Sequence, residues 1–261
     1  MSDAWVRGDA YERFMGRWSR LVAPLFVDWL DQPPGLRWVD LGCGTGALTG
    51  AVLERASPVS VHGVDPSAGF LETARALQDD ARARFSVGDA LDLRPVSADV
   101  VVSGLALTFI PDLPAALRAV TAAAPGGVVA AYVWDYAEGM RMLRTFWDAA
   151  VEVEPAGAGL DEGRARFPLA QPVPLAEAWE AAGLTDVSTT GLEVRRRFER
   201  FEELWAPFRA GAGPAPAFLA TLRPDQQAAV RVGMRRLVTG GLEGPFDLSA
   251  RAWAVRGTAP A

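Results

Sequence analysis

The run Val39-Asp40-Leu41-Gly42-Cys43-Gly44-Thr45-Gly46-Ala47-Leu48-Thr49 restricts this chain to few folds. Arg37 to Leu41 is short, largely apolar and followed at once by Gly42, so it reads as a central parallel strand that ends in a tight turn. Gly42, Gly44 and Gly46 then remove side chains where backbone must come close to a ligand or take positive φ. The spacing is GxGxG, with Ala47 where a dinucleotide fingerprint places its third glycine. A buried strand that breaks into such a loop and opens a helix is a nucleotide-binding signature.

Three acids add to it. Val59 to Val64 reads as a second strand ending in Asp65, 19 positions after Gly46 (65 minus 46), the expected place for a carboxylate that accepts both ribose hydroxyls. Arg84 to Gly88 reads as a third strand ending in Asp89, placed to accept a hydrogen bond from an adenine amino group. Asp40 sits inside the apolar strand just ahead of the loop, where it can hold the loop by hydrogen bonds and orient a charged ligand. A nicotinamide dehydrogenase does not ordinarily supply this set.

Strand and helix continue to alternate. Helices are expected from Gly46 to Glu54 and from Ser67 to Gln78, a strand near 98 to 104, a helix from Asp112-Leu113-Pro114 to about Ala124, and a strand from Val128 to Trp134. Five strands alternating with helices specify an α/β fold with a doubly wound parallel sheet and ligands at the carboxyl ends of the strands. Ahead of them, Trp18, Leu21, Val22, Leu25, Phe26, Trp29 and Leu30 recur at helical spacing, so Ser19 to Leu30 is expected as an amphipathic helix with a kink at Pro24.

On these residues the chain resembles the class I S-adenosylmethionine (SAM)-dependent methyltransferases, especially the methyltransferase type 11 branch similar to the ubiquinone and menaquinone C-methyltransferases. The resemblance covers about residues 10 to 135. It implies that Gly42, Gly44, Thr45 and Gly46 bend around the methionine half of SAM, with Asp40 ahead of them. By the same resemblance, Asp65 with Pro66 holds the ribose, Asp89 and Ala90 take the adenine side, and Ser103 and Leu105 stand at the end of the fourth strand. It implies a Rossmann-like, seven-stranded sheet of order 3-2-1-4-5-7-6 with the last strand antiparallel, N-terminal helices over residues 1–35, and a SAM-binding domain over 36–261 with cap or lid segments at about 137–174 and 199–245. In similar proteins the N-terminal helix folds over the cofactor, which makes Tyr11 and Arg17 candidates to line the SAM pocket, Arg17 facing the methionine carboxylate. Packed or solvated surface positions are the competing reading of both.

Composition excludes several chemistries. One cysteine, Cys43, rules out an internal disulfide and a cysteine-rich metal site, and with one histidine, His62, no metal-ligand cluster or histidine-centred triad is available. No metal is expected. His62 lies mid-strand and reads as a structural imidazole, Cys43 as a small packed side chain, and Asp112 as a helix cap or an acid of the kind found after the fourth strand in relatives. The formal net charge of -6 argues for small molecules rather than nucleic acid as partners. No run approaches the roughly 18 apolar residues of a membrane span, and a cytoplasmic location is expected. The sequence leaves the oligomeric state open.

The substrate side is looser. Tyr132-Val133-Trp134-Asp135-Tyr136 brings aromatics and a carboxylate to the ligand edge: Asp135 either accepts a proton from a hydroxyl or amine, or begins the helix that carries Met140, Leu143, Phe146 and Trp147. Tyr136 or Trp134 can stack on a ring or face a sulfonium. Residues 155–174, rich in Gly and Pro and switching from Asp161-Glu162 to Arg164 and Arg166, read as a long loop or lid. A helix from Leu175 to Ala182, a strand from Leu184 to Phe198, helices over 201–239 and a last strand from Phe246 to Val255 complete the chain. Arg195-Arg196-Arg197 reads as a protected edge strand. The Phe and Trp residues of the helical insert either shape a hydrophobic cavity or only pack a core.

The expected reaction is an in-line displacement that moves a methyl group from SAM to a hydrophobic small molecule such as a quinone, phenol or secondary metabolite. Two alternatives stay beside it: a SAM-fold protein that binds SAM without methylating, as a binding module or cyclase, and a nicotinamide oxidoreductase.

Overall fold

The computed structural model describes residues 12–91, 98–163, 167, 169–210 and 213–261. The chain forms two compact units. A sheet unit comprises Trp18–Val133, Leu169–Leu192 and Ala252–Ala261; an aromatic unit comprises Met1–Arg17, Trp134–Pro168 and Glu193–Arg251.

A π-helical turn at Glu12–Gly16 leads into α1 (Arg17–Leu30), which buries Trp18, Val22, Phe26 and Leu30 and carries Pro24 inside it. The alternation then runs β1 (Arg37–Leu41), α2 (Ala47–Arg55), β2 (Ser60–Asp65), α3 (Ala68–Leu77), β3 (Ala83–Val87), β4 (Val100–Gly104), α4 (Leu113–Ala123) and β5 (Val128–Trp134). After these come α5 (Arg141–Val153), α6 (Pro172–Ala181), β6 (Thr185–Phe198), α7 (Phe201–Ala210), α8 (Pro214–Thr221), α9 (Pro224–Thr239) and β7 (Phe246–Thr258). The seven strands form one sheet of order β3-β2-β1-β4-β5-β7-β6. Strands β1 to β5 pair in parallel, Asp40 opposite Gly63 on one side and Val102 on the other. Strand β7 runs antiparallel to its neighbours; Asp135 N–H donates to the Arg251 carbonyl and Ala259 N–H to the Gly127 carbonyl, partners that run in opposite directions along the chain.

This is the doubly wound, Rossmann-like sheet expected from the sequence, and its central parallel strands β1, β4 and β5 are largely buried, as strands covered by helices on both faces must be. Every residue of β4 except Gly104 is buried, and every residue of β5 except Val128. In the sheet unit the C-terminal strand is tied to α1: the Arg256 guanidinium donates to the carbonyls of Trp29 and Leu30 and lies 5.0 Å from the Trp29 ring.

One segment differs from expectation. Residues 155–174, read as a long loop, hold a 3₁₀ turn at Pro155–Gly159 and the start of α6 at Pro172. Asp161 and Glu162, placed in that loop by the sequence, are buried. The reason lies on α5: Arg144 donates to both oxygens of Asp161 at 2.9 and 2.5 Å, and the Trp147 indole N–H donates to Glu162. Around them Phe146 stacks on Phe208 at 4.8 Å, Phe14 meets Phe208 edge-on at 4.9 Å, and Trp147 packs on Phe218 at 5.5 Å. These rings are all buried against one another, so the contacts they make are those of a core.

Candidate functional site

At the carboxyl end of β1 the backbone turns through three left-handed glycines, Gly42 (φ 68°), Gly44 (φ 54°) and Gly46 (φ 84°). Gly42 and Cys43 N–H both donate to the Val64 carbonyl at 2.7 and 3.1 Å, and Gly46 N–H to the Cys43 carbonyl, so the loop is strapped to β2. The glycines have different reasons to lack a side chain. A Cβ on Gly42 would stand 2.4 Å from that of Ala106, whereas a Cβ on Gly44 would meet no protein atom within 4 Å. At Gly44 the protein leaves room; at Gly42 it fills it.

Asp40 is fully buried beneath this loop. Its Oδ2 accepts from the Thr49 hydroxyl at 2.7 Å, while its Oδ1, equally buried, has no hydrogen-bond partner among the described residues. Burial, opposed by the Thr49 hydroxyl and reinforced by the charge of Asp65, pushes the Asp40 carboxyl up to about 7. A buried carboxylate oxygen with nothing to accept is costly, on the order of 1 to 3 kcal/mol, and calls for a donor or a cation.

Asp65 closes β2. Its Oδ2 accepts from Gly44 N–H at 2.9 Å and its Oδ1 from Ser67 N–H at 2.8 Å, so the same carboxylate fixes the glycine loop and starts α3. Burial raises its carboxyl above the ordinary range, against the two N–H donors. Pro66, beside it, is exposed, and Thr45 is buried. Asp89 is exposed just after β3, its Oδ1 accepting from Leu91 N–H at 2.5 Å, with Ala90 buried next to it. Ser103 is buried in β4 and donates to the Leu41 carbonyl at 2.8 Å, which joins the ends of the two central strands. Leu105 then takes φ 64°, a conformation rare outside glycine, with its N–H bonded to the Tyr132 carbonyl at 2.8 Å.

The sheet unit therefore brings together Asp40, Gly42, Gly44, Thr45, Gly46, Asp65, Pro66, Asp89, Ala90, Ser103 and Leu105 at the carboxyl ends of β1 to β4. The remaining candidates belong to the aromatic unit or lie outside the described residues. Tyr11 is outside the described residues. Arg17 belongs to the aromatic unit, where it donates to the Glu203 carbonyl at 3.1 Å. Asp135 and Tyr136 belong to that unit too. The Asp135 Oδ2 accepts from Arg251 Nε and Nη2 at 2.8 and 2.5 Å and its Oδ1 from Glu138 N–H at 3.1 Å. Both carboxylate oxygens are engaged in holding the turn that enters α5, and Tyr136 packs its ring on Phe167 at 5.0 Å.

His62 is structural, as expected: its Nε2 is 2.7 Å from the Ser86 hydroxyl, and burial followed by the charge of Arg84 lowers its pKa. Burial first, then Asp40 and Asp65, pushes the Cys43 thiol far up, which disfavours the thiolate. Asp112 caps α4 by accepting from Ala115 N–H at 2.9 Å. Among the described residues no cluster of His, Cys, Asp or Glu can hold a metal, and no helix is long and apolar enough to cross a membrane.

Two contributors escaped the sequence reading. Thr49 is the hydrogen-bond partner of Asp40 among the described residues; its signal was a hydroxyl on the buried face of α2, between Leu48 and Val52. Gly63 leaves space for the Phe85 ring and the Cys43 sulfur, 2.6 and 2.9 Å from where its Cβ would stand, a constraint visible only once β2 and β3 are paired.

Residues 39–129 match a protein-family model described as "Methyltransferase domain". Among curated proteins, a trans-aconitate 2-methyltransferase of Deinococcus radiodurans is 32% identical over 162 residues, 61% of this chain and 62% of the relative. A 2-phytyl-1,4-naphtoquinone methyltransferase of Thermosynechococcus vestitus is 36% identical over 96 residues, 35% of this chain and 43% of the relative. The chain thus spans less than two thirds of these relatives. Among solved structures, phosphoethanolamine N-methyltransferase 2 of Haemonchus contortus aligns with 97% of this chain and 57% of its own at a TM-score of 0.59 and 18% identity, which establishes the shared fold.

Proposed function

We propose, for a chain that carries a class I SAM-dependent methyltransferase domain, that the protein binds SAM at the carboxyl ends of β1 to β4 and methylates a small organic molecule with a hydrophobic body. The observation that carries this reading is Asp40: a fully buried carboxylate with an unpartnered oxygen, set under a loop whose three glycines are left-handed. That combination fits a ligand with both a cationic group and a nucleoside.

The residues divide the work by their chemistry. The loop from Gly42 to Gly46 offers backbone without side chains to the amino-acid end of the cofactor, and Gly44 has the open space for it. Asp40 supplies negative charge from below, and its raised carboxyl settles in the ionised form once a cation is near. Asp65, already oriented by two N–H donors, has lone pairs left for ribose hydroxyls. Asp89 and Ala90 take the adenine, and Ser103 with Leu105 forms the floor after β4.

SAM supplies a methyl group on a sulfonium, an already activated leaving group. The protein's part is alignment and exclusion of water, effects worth roughly 7 to 11 kcal/mol where geometry is good. A dedicated general base is not required, in keeping with the engagement of Asp135 by Arg251. A small acceptor accords with the names of the relatives, which are methyltransferases of trans-aconitate and of a phytyl naphthoquinone.

Calorimetry with S-adenosylhomocysteine and NAD, followed by transfer of labelled methyl from SAM to a panel of trans-aconitate, quinols and phenols, tests the reading. Binding of S-adenosylhomocysteine without NAD, with label in at least one acceptor, is the expected outcome. NAD binding alone would return the protein to the oxidoreductases, and cofactor binding with no label moved to any acceptor would make it a SAM-binding protein that does not methylate.

A further inference from the structure

The Arg195-Arg196-Arg197 run divides sharply when placed on β6. This strand lies at the edge of the sheet, and its alternation buries Val194 and Phe198 while Arg195 and Arg197 point outward. The two outward arginines meet acids: Arg195 lies 3.2 Å from Glu193, and Arg197 lies 3.1 Å from Glu199 and 3.9 Å from Asp247. Arg196 shares the inward face with Val194 and Phe198 and is half-buried. Its Nε is buried and has no hydrogen-bond partner among the described residues.

A second guanidinium stands beside it. The Arg17 and Arg196 guanidinium carbons lie 5.9 and 5.6 Å from the centre of one ring, that of Phe198, which is itself buried and stacked on Phe246 at 5.3 Å. Burial, then the charge of Arg196, lowers the Arg17 pKa to about 10, with Glu203 pulling the other way. Two guanidiniums near one ring present positive charge to an anion, and guanidinium forks match carboxylate geometry.

We propose that Arg196 and Arg17, set on the Phe198 ring, form an anion site in the aromatic unit that takes the carboxylate of a small organic acid. The inward Nε–H of Arg196 is the specific donor, and Arg17 adds the second positive charge. Neither the family match at residues 39–129 nor the loop of glycines involves these residues. The inference stands apart from methyl transfer, because the site is read without cofactor or turnover.

The test is calorimetry of the whole protein with citrate and with its uncharged ester, trimethyl citrate, at fixed ionic strength. Citrate binds saturably in the millimolar range or tighter and the ester does not. Arg196→Gln weakens citrate by about tenfold or more, Arg195→Gln leaves it unchanged, and the affinity for S-adenosylhomocysteine is the same in all three proteins. Should Arg196→Gln fail to fold, Arg196→Lys keeps the charge but loses the fork, and it weakens citrate by a smaller factor. Absence of citrate binding, equal binding by wild type and the Arg196 variant that folds, or a parallel loss of S-adenosylhomocysteine affinity, which would make the carboxylate the cofactor's own, each overturns the proposal.

Discussion

Asp40 in the sheet unit and Asp161 in the aromatic unit are both entirely buried, yet their surroundings are opposite. Asp161 receives two bonds from the Arg144 guanidinium and a third from Gly163 N–H at 2.9 Å. Asp40 is held by Thr49 alone and keeps an oxygen with nothing to accept among the described residues. A carboxylate closed by its own chain is architecture. One left with an unpartnered oxygen under a loop of left-handed glycines fits the cofactor site proposed above.

If that contrast is right, removing a partner from the closed carboxylate damages folding, and altering the open one changes pH dependence and binding. The largest effect is expected at Arg144→Met, which strands Asp161: unfolding by urea should show a loss of about 3 to 5 kcal/mol. Equal stability of variant and wild type would mean that the pair is idle.

Asp135→Asn is expected to cost about 1.5 to 3 kcal/mol in the same assay, because it weakens charge-assisted bonds to Arg251. The pH-rate profile of methyl transfer should keep its shape in this variant. A lost acid limb would show instead that Asp135 takes a proton in the reaction.

The smallest effect is a slope. Burial raises the Asp40 carboxyl to about 7 in the folded protein, against an ordinary value near 3.9 when unfolded. Between about pH 4 and about pH 7 the folded state therefore holds more protons than the unfolded one, and stability falls as pH rises through that window. Asp40→Asn cannot titrate, so its urea midpoint should fall less between pH 5 and pH 7.5 than that of the wild type. An identical decline in both would remove Asp40 as its source.

What was legible in the sequence follows the reach of each signal. The parallel core was readable because strand, glycine turn and helix succeed one another within a few residues, and β5 begins and ends at Val128 and Trp134 as its apolar run does. The positions at the carboxyl ends of the strands were readable for the same reason: Asp40, Asp65 and Asp89 each end or precede a local pattern. Long-range pairing was not. Asp161 and Glu162 read only as part of a long loop, because Arg144 and Trp147, which hold them, lie 17 and 15 residues away. The Arg195-Arg196-Arg197 run read as one edge-protecting feature, and only the register of β6 against its core separates the inward arginine from its outward neighbours.

The central claim, that the open carboxylate and the glycine loop of the sheet unit hold an adenosyl cofactor, is tested most directly by titrating S-adenosylhomocysteine into the wild type and Asp65→Ala. The account predicts one site in the wild type and an affinity reduced by about ten- to a hundredfold in the variant, the worth of hydrogen bonds to a charged group. Wild-type protein that takes up no S-adenosylhomocysteine, or a variant that binds it equally well, would contradict it.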